Sequence, residues 1–115
     1  MAEKTLFSRI IDGEIPGTFV YQDEDVVAIR DIRPAAPVHV LVIPRKPIPS
    51  LIELEEVDAE LAGRLLLVVS RIAKQEGLSS GYRVVINTGK AGGQTVPHLH
   101  IHILGGKVMS EKMLP

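Results

Sequence analysis

The segment His98-Leu99-His100-Ile101-His102-Ile103 alternates imidazole and aliphatic side chains without a break, and Leu104 follows it. A period of two belongs to a β-strand, where successive side chains point to opposite faces. Three imidazoles therefore share one face, and Leu99, Ile101 and Ile103 share the other. A lone histidine on a strand is usually an ordinary hydrogen-bonded residue. Three on one face, in a chain with only four histidines, are hard to explain that way and point to chemistry.

The rest of the chain limits what that strand belongs to. With 115 residues it makes one domain spanning 1–115. A chain of this size buries about two-thirds of its unfolded surface, enough for a core without staples. There is no cysteine, so disulfides and thiolate metal sites are unavailable. Thirteen basic against fourteen acidic residues, a net charge of −1, give no general electrostatic reason to bind nucleic acid or anionic lipid. Two Phe, two Tyr and no Trp leave no stacking platform for a nucleic-acid strand. No apolar run approaches the roughly 20 residues of a membrane span, and no secretory h-region opens the chain. A cytoplasmic protein is expected.

Prolines and glycines punctuate the elements. Residues 5–12 carry Leu6, Phe7, Ile10 and Ile11 on one helical face, with Thr5 as N-cap and Gly13 as the stop. Residues 18–22 and 26–30 read as a hairpin around Asp23-Glu24-Asp25, and the β-branched run 38–43 is a third strand, ended by Pro44. Leu54, Val57, Leu61, Leu65, Val68 and Ile72 predict a helix over 53–76. A second stripe of Ala62, Leu66, Val69 and Ala73 widens its apolar face to about 180°, against the roughly 100° that a surface helix buries. Deep burial explains that width; a second copy of the chain explains it slightly better. Residues 82–87 and 98–104 complete five strands around a Gly-rich loop at 88–95, and the tail 107–115 has no readable pattern. The order predicts an α+β fold with a mainly antiparallel sheet.

Two kinds of chemistry compete for the imidazoles. One is a metal site, since neutral imidazole is a common ligand. Alternate residues on a strand lie about 6.8 Å apart, which puts the outer pair near 13.5 Å. Zinc draws its ligand atoms to within roughly 3.5 Å of one another, so all three reach one ion only if the strand bends severely, although His39 could fold in. The other is an imidazole nucleophile among hydrogen-bond donors, largely neutral near pH 7 with an ordinary pKa of about 6.5. Mutual repulsion disfavours charging every ring. The loop Asn87-Thr88-Gly89-Lys90-Ala91-Gly92-Gly93-Gln94-Thr95 feeds directly into this strand and offers backbone N–H groups of the kind that bind phosphate. Attack by histidine on phosphorus is the economical combination.

These residues resemble the histidine triad superfamily, whose motif alternates His and apolar positions as 98–104 do. The run Asn87-x-Gly89-x-x-Gly92-Gly93-Gln94-Thr95-Val96-x-His98 through Gly105-Gly106 resembles its Hint branch of nucleotide-binding proteins. The likeness extends upstream through Asp31-Ile32-x-Pro34-x-Ala36-Pro37-x-His39, Leu41-Val42-Ile43-Pro44 and Phe7-x-x-Ile10-Ile11. It implies a homodimer whose two five-stranded sheets join into ten strands. It also implies hydrolysis of purine nucleoside 5′-monophosphoramidates through a nucleotidyl-histidine, with no metal and no cofactor. On this likeness His100 is the nucleophile, His102 donates to the phosphate oxygens, His98 orients His100, and His39 joins the network. Thr95, where Ser is frequent, helps protonate the departing amine. Asn87 and the backbone of Gly93, Gln94 and Thr95 hold the ribose-phosphate, and Asp31 takes the ribose hydroxyls. Leu6, Phe7, Ile10, Ile29 and Ile32 clamp the base. Read without the likeness, Asp31 is a turn residue, and Ile10 and Ile29 are ordinary core.

Pro97 stands where Tyr is common, and Ile29 where an aromatic is frequent. The competing function is a nucleotide-binding regulatory protein with vestigial catalysis; a metal-dependent hydrolase is the third.

Overall fold

Runs rich in valine and isoleucine become the sheet, and the computed structural model describes residues 4–112. The strands are β1 (Phe19–Gln22), β2 (Val26–Arg30), β3 (Val38–Pro44), β4 (Arg83–Val85) and β5 (Ile101–Gly105). They pair antiparallel in the order β1-β2-β3-β5-β4. A short helix α1 (Leu6–Ile11) and a long helix α2 (Ala59–Gln75) complete the frame. The expected α+β fold with an antiparallel sheet is the one observed.

Alternation sorts the strand residues into two layers. Val26, Ala28, Val40, Val42, Ile101 and Ile103 meet Leu65, Val68, Val69, Ile72 and Ala73 of α2. Val27, Ile29, Leu41 and Ile43 meet Phe7 and Ile10 of α1. Both faces of β2 and β3 are covered, which is why these strands read as continuous apolar runs. Of the second stripe on α2, Val69 and Ala73 enter the core while Leu66 stays exposed.

Three expectations need correction. The helix predicted over 53–76 starts only at Ala59, because Leu54 adopts an extended backbone (ψ 137°) between two 3-10 turns, Leu51–Glu53 and Glu56–Asp58. Side chains build those turns: Ser50 Oγ accepts the Ile52 N–H, and the Asp58 carboxylate accepts the Glu55 N–H while holding Lys46 at 2.6 Å. Leu54 and Val57 matched a helical spacing without being helical, and Val57 is 81% exposed. The strand predicted over 98–104 pairs regularly only from Ile101; ahead of it, the Leu99 N–H donates to the Ile48 carbonyl. Likewise β4 covers only part of 82–87.

Ile72 fills the α2–sheet layer with no exposure. Ile72→Ala should cost about 2–5 kcal/mol in denaturant unfolding. Val57→Ala, at a position the spacing alone would bury, should stay within about 0.5 kcal/mol. Equal losses would contradict the start of α2 at Ala59.

Candidate active site

The histidines gather where β3 and β5 lie side by side. Leu41 stands opposite His102 and His39 opposite Leu104, so His39 and His102 are diagonal neighbours on one face. His98 and His100, from the segment leading into β5, extend the cluster toward α1. Phe7 sets its ring edge-on to His100, with centroids 4.8 Å apart, and reaches His98 at 6.2 Å. The His100 and His102 rings are 5.0 Å apart. His39, His98 and His100 are buried and His102 is half-buried.

Backbone groups decide where the ring protons sit, because a carbonyl only accepts and an amide N–H only donates. The Ala35 N–H donates to His39 Nδ1 at 3.0 Å, so the neutral ring carries its proton on Nε2. That proton goes to His102 Nδ1 at 2.9 Å, leaving His102 with an Nε2–H. His98 Nε2–H donates to the Pro44 carbonyl at 2.8 Å, and its Nδ1 accepts the Thr5 hydroxyl at 2.9 Å. His100 Nδ1–H donates to the His98 carbonyl at 2.8 Å. Six of the eight ring nitrogens are thus engaged. Among the described residues two remain without a partner, on the neighbouring rings: a bare lone pair on His100 Nε2 and an N–H on His102 Nε2.

Burial keeps all four rings neutral at pH 7. It pushes His102 down to about 4, helped by its neighbours His100 and His39, with the Asp31 carboxylate opposing. Burial likewise lowers His100 against the opposing His98 carbonyl and Asp31, and lowers His39 against Asp31. His98 falls for the same reason, with the Pro44 carbonyl opposing and His100 adding to the shift. With His39 neutral, its 3.4 Å approach to Asp31 is a polar contact rather than an ion pair.

The other expected residues divide. Asp31 is a turn residue, its Oδ1 accepting the Arg33 N–H at 2.8 Å, and its Oδ2 faces His39. Phe7 touches the triad, while Ile10 and Ile29 lie in the core beneath it. Leu6 is 46% and Ile32 91% exposed at the edge of this layer.

The glycine-rich loop differs from the open cradle expected of it. Gln94 Oε1 accepts the Gly89 N–H, and Gln94 Nε2 donates to the carbonyls of Pro49 and Val96. The N–H groups of Gly93 and Gln94 turn back to Lys90 and Gly89, and Asn87 Nδ2 donates to the Gly92 carbonyl. Gln94 therefore builds the loop rather than a phosphate contact. Among the described residues, the Thr95 N–H and hydroxyl have no such internal partner.

His98 meets His100 through its backbone. It is completely buried, and its carbonyl rather than its ring orients His100. Thr5, Ala35 and Pro44 matter here and were not expected. Thr5 was legible only as a helix cap, and backbone groups leave no trace in residue identity.

Asp31, His39 and His102 each place one potential ligand atom within 4.8 Å of the others. A cation there needs a bare His39 Nε2, which requires the proton on Nδ1, where the Ala35 N–H already points. The donor set fits a proton chain better than a metal.

A profile of the HIT domain matches residues 12–109. The purine nucleoside phosphoramidase of Escherichia coli is 48% identical over 108 residues, covering 93% of this chain and 91% of that protein. The 14 kDa zinc-binding protein of Zea mays is 52% identical over 108 residues, covering 92% and 84%. A HIT family hydrolase from Clostridium thermocellum superposes with a TM-score of 0.95 at 44% identity, covering 99% of this chain and 100% of that one. An enzyme role follows at the level of the family. Together with the motif from Asn87 to Gly106, these matches make the protein a member of the HIT domain family, on its Hint branch.

Proposed function

We propose that the protein hydrolyses purine nucleoside 5′-monophosphoramidates through a nucleotidyl intermediate on His100, as a cytoplasmic homodimer. The observation that carries this reading is the bare Nε2 of His100 beside the Nε2–H of His102, both rings neutral. The purine and the amine rest on the family resemblance and on the name of the Escherichia coli relative.

The His100 Nε2 lone pair attacks the α-phosphorus as the bond from phosphorus to the amine nitrogen breaks in line. His102 Nε2–H donates to a non-bridging oxygen as charge builds there. The departing nitrogen takes a proton, with the Thr95 hydroxyl as its donor. Bonding through Nε2 makes the His100 ring cationic. Its Nδ1–H remains held by the His98 carbonyl, and the Asp31 carboxylate favours the positive charge. Water then attacks phosphorus and returns a proton to the Thr95 oxygen, the P–N bond to His100 breaks with its electron pair restored to Nε2, and nucleoside monophosphate leaves. Asp31 receives the ribose hydroxyls, and Phe7 with the exposed Leu6 and Ile32 receives the base. No step passes through a metal.

The dimer rests on an open edge. Among the described residues strand β4 pairs only with β5, and Tyr82, Val84, Leu66 and Leu67 are exposed large apolar groups on β4, beside it and on α2. An unpaired apolar edge is a template for a second sheet. Among the described residues, no helix is long and apolar enough to cross a membrane.

Acid quenching during turnover of an adenosine phosphoramidate should trap a nucleotide on His100, seen as added mass. His100→Ala should abolish turnover while nucleotide still binds. Full turnover by that variant would remove the covalent mechanism. The pH profile gives a second check. The nucleophile works unprotonated, and burial lowers its pKa, so the acid limb of kcat/KM should lie below pH 6.5. A limb at or above that pH would contradict the neutral cluster. For the dimer, sedimentation should give twice the chain mass, with Leu66→Glu and Val84→Pro shifting it toward the monomer. A monomeric wild-type protein would overturn that part.

A further inference from the structure

The hydroxyl of Thr5 sits at a junction that neither the triad nor the capping of α1 alone requires. Its oxygen accepts the Ser8 N–H at 3.0 Å, the usual service of an N-cap. Its proton has two acceptors in reach, Ser8 Oγ at 3.2 Å and the nearer His98 Nδ1 at 2.9 Å. His98 Nε2–H is committed to the Pro44 carbonyl, so the neutral ring leaves a lone pair on Nδ1 with no exposure to water. An acceptor left unpaired there would cost stability. Thr5 Oγ1 lies 2.9 Å from it and Ser8 Oγ lies at 3.4 Å, so Thr5 is the effective donor.

We propose that Thr5 is a positioning residue for the reaction, coupling the wall of the base pocket to the nucleophile; the kinetic part rests on the function proposed above. The His98 ring is clamped between the start of α1 and the end of β3. Its own carbonyl holds His100 Nδ1–H and so determines which nitrogen of His100 is bare. Two residues beyond Thr5, on the helix that Thr5 caps, Phe7 packs edge-on against His100. The Pro44 carbonyl sets the tautomer of His98, and the Thr5 hydroxyl answers the lone pair this leaves on Nδ1 and ties α1 to that ring. It touches no reacting atom. Its effect passes through His98, by a contact spanning 93 positions of sequence.

The first test needs no activity and no variant. In nitrogen-15 NMR of the wild-type protein near pH 7, His98 should be the Nε2–H tautomer, with Nδ1 showing the shift of a hydrogen-bonded acceptor. A proton on His98 Nδ1 would overturn the proposal whatever the enzyme hydrolyses. The second test compares Thr5→Val with Thr5→Ser, using single-turnover nucleotidylation of His100 by an adenosine phosphoramidate. Misplacing a reacting group by about 1 Å costs about 100-fold, so Thr5→Val should slow nucleotidylation about 10- to 100-fold. It should change the Kd of adenosine monophosphate by less than about threefold, since no contact to ligand is lost. Thr5→Ser keeps the hydroxyl and should recover to within about threefold of wild type. A folded Thr5→Val protein reacting at the wild-type rate would overturn the proposal. So would a Thr5→Ser protein as slow as the valine variant. If wild-type protein fails to label His100, the proposed reaction fails instead, and the NMR result stands separately.

Discussion

An amide hydrogen can only be given and a carbonyl lone pair can only be received, and the histidine cluster is organised by that asymmetry. The Ala35 N–H and the carbonyls of Pro44 and His98 are fixed by the path of the backbone. Each imposes a protonation pattern on the imidazole it meets, and His39 relays that pattern to His102. Four rings that in water would exchange tautomers freely are thereby assigned distinct nitrogens. The result is a nucleophilic lone pair and an adjacent donor.

Burial has two consequences that reinforce each other. Taking the imidazoles out of water disfavours their charged forms, which keeps the lone pair available around neutral pH. It also makes every unpaired nitrogen costly, so the hydrogen-bond assignments are held firmly. The site therefore needs covered walls on both sides of the sheet. The layer built on α2 supports β5 from behind through Ile101 and Ile103, and Phe7 and Ile10 of α1 close the front. Thr5 anchors that front wall to His98.

Much of this was legible because alternation and period are properties of residue order. The triad's shared face, the hairpin around Asp23, the core stripe of α2 and the cap at Thr5 all follow from spacing and local chemistry. Leu54 and Val57 misled because an extended residue between two 3-10 turns and an exposed residue within one can fall at helical intervals. Residue order offers the Gln94 backbone N–H to a phosphate, yet here that N–H turns back to Gly89 and the side-chain amide closes the loop. The proton assignments were illegible in principle. They depend on main-chain groups of Ala35, Pro44 and His98, whose positions arise only once the chain has folded.

The central claim concerns where four protons sit, and neutron diffraction from ligand-free crystals grown near pH 7 observes them directly. Deuterium is expected on His39 Nε2, His98 Nε2, His100 Nδ1 and His102 Nε2, with none on His100 Nε2. Deuterium on His100 Nε2 would leave the cluster without a nucleophile and would contradict the account.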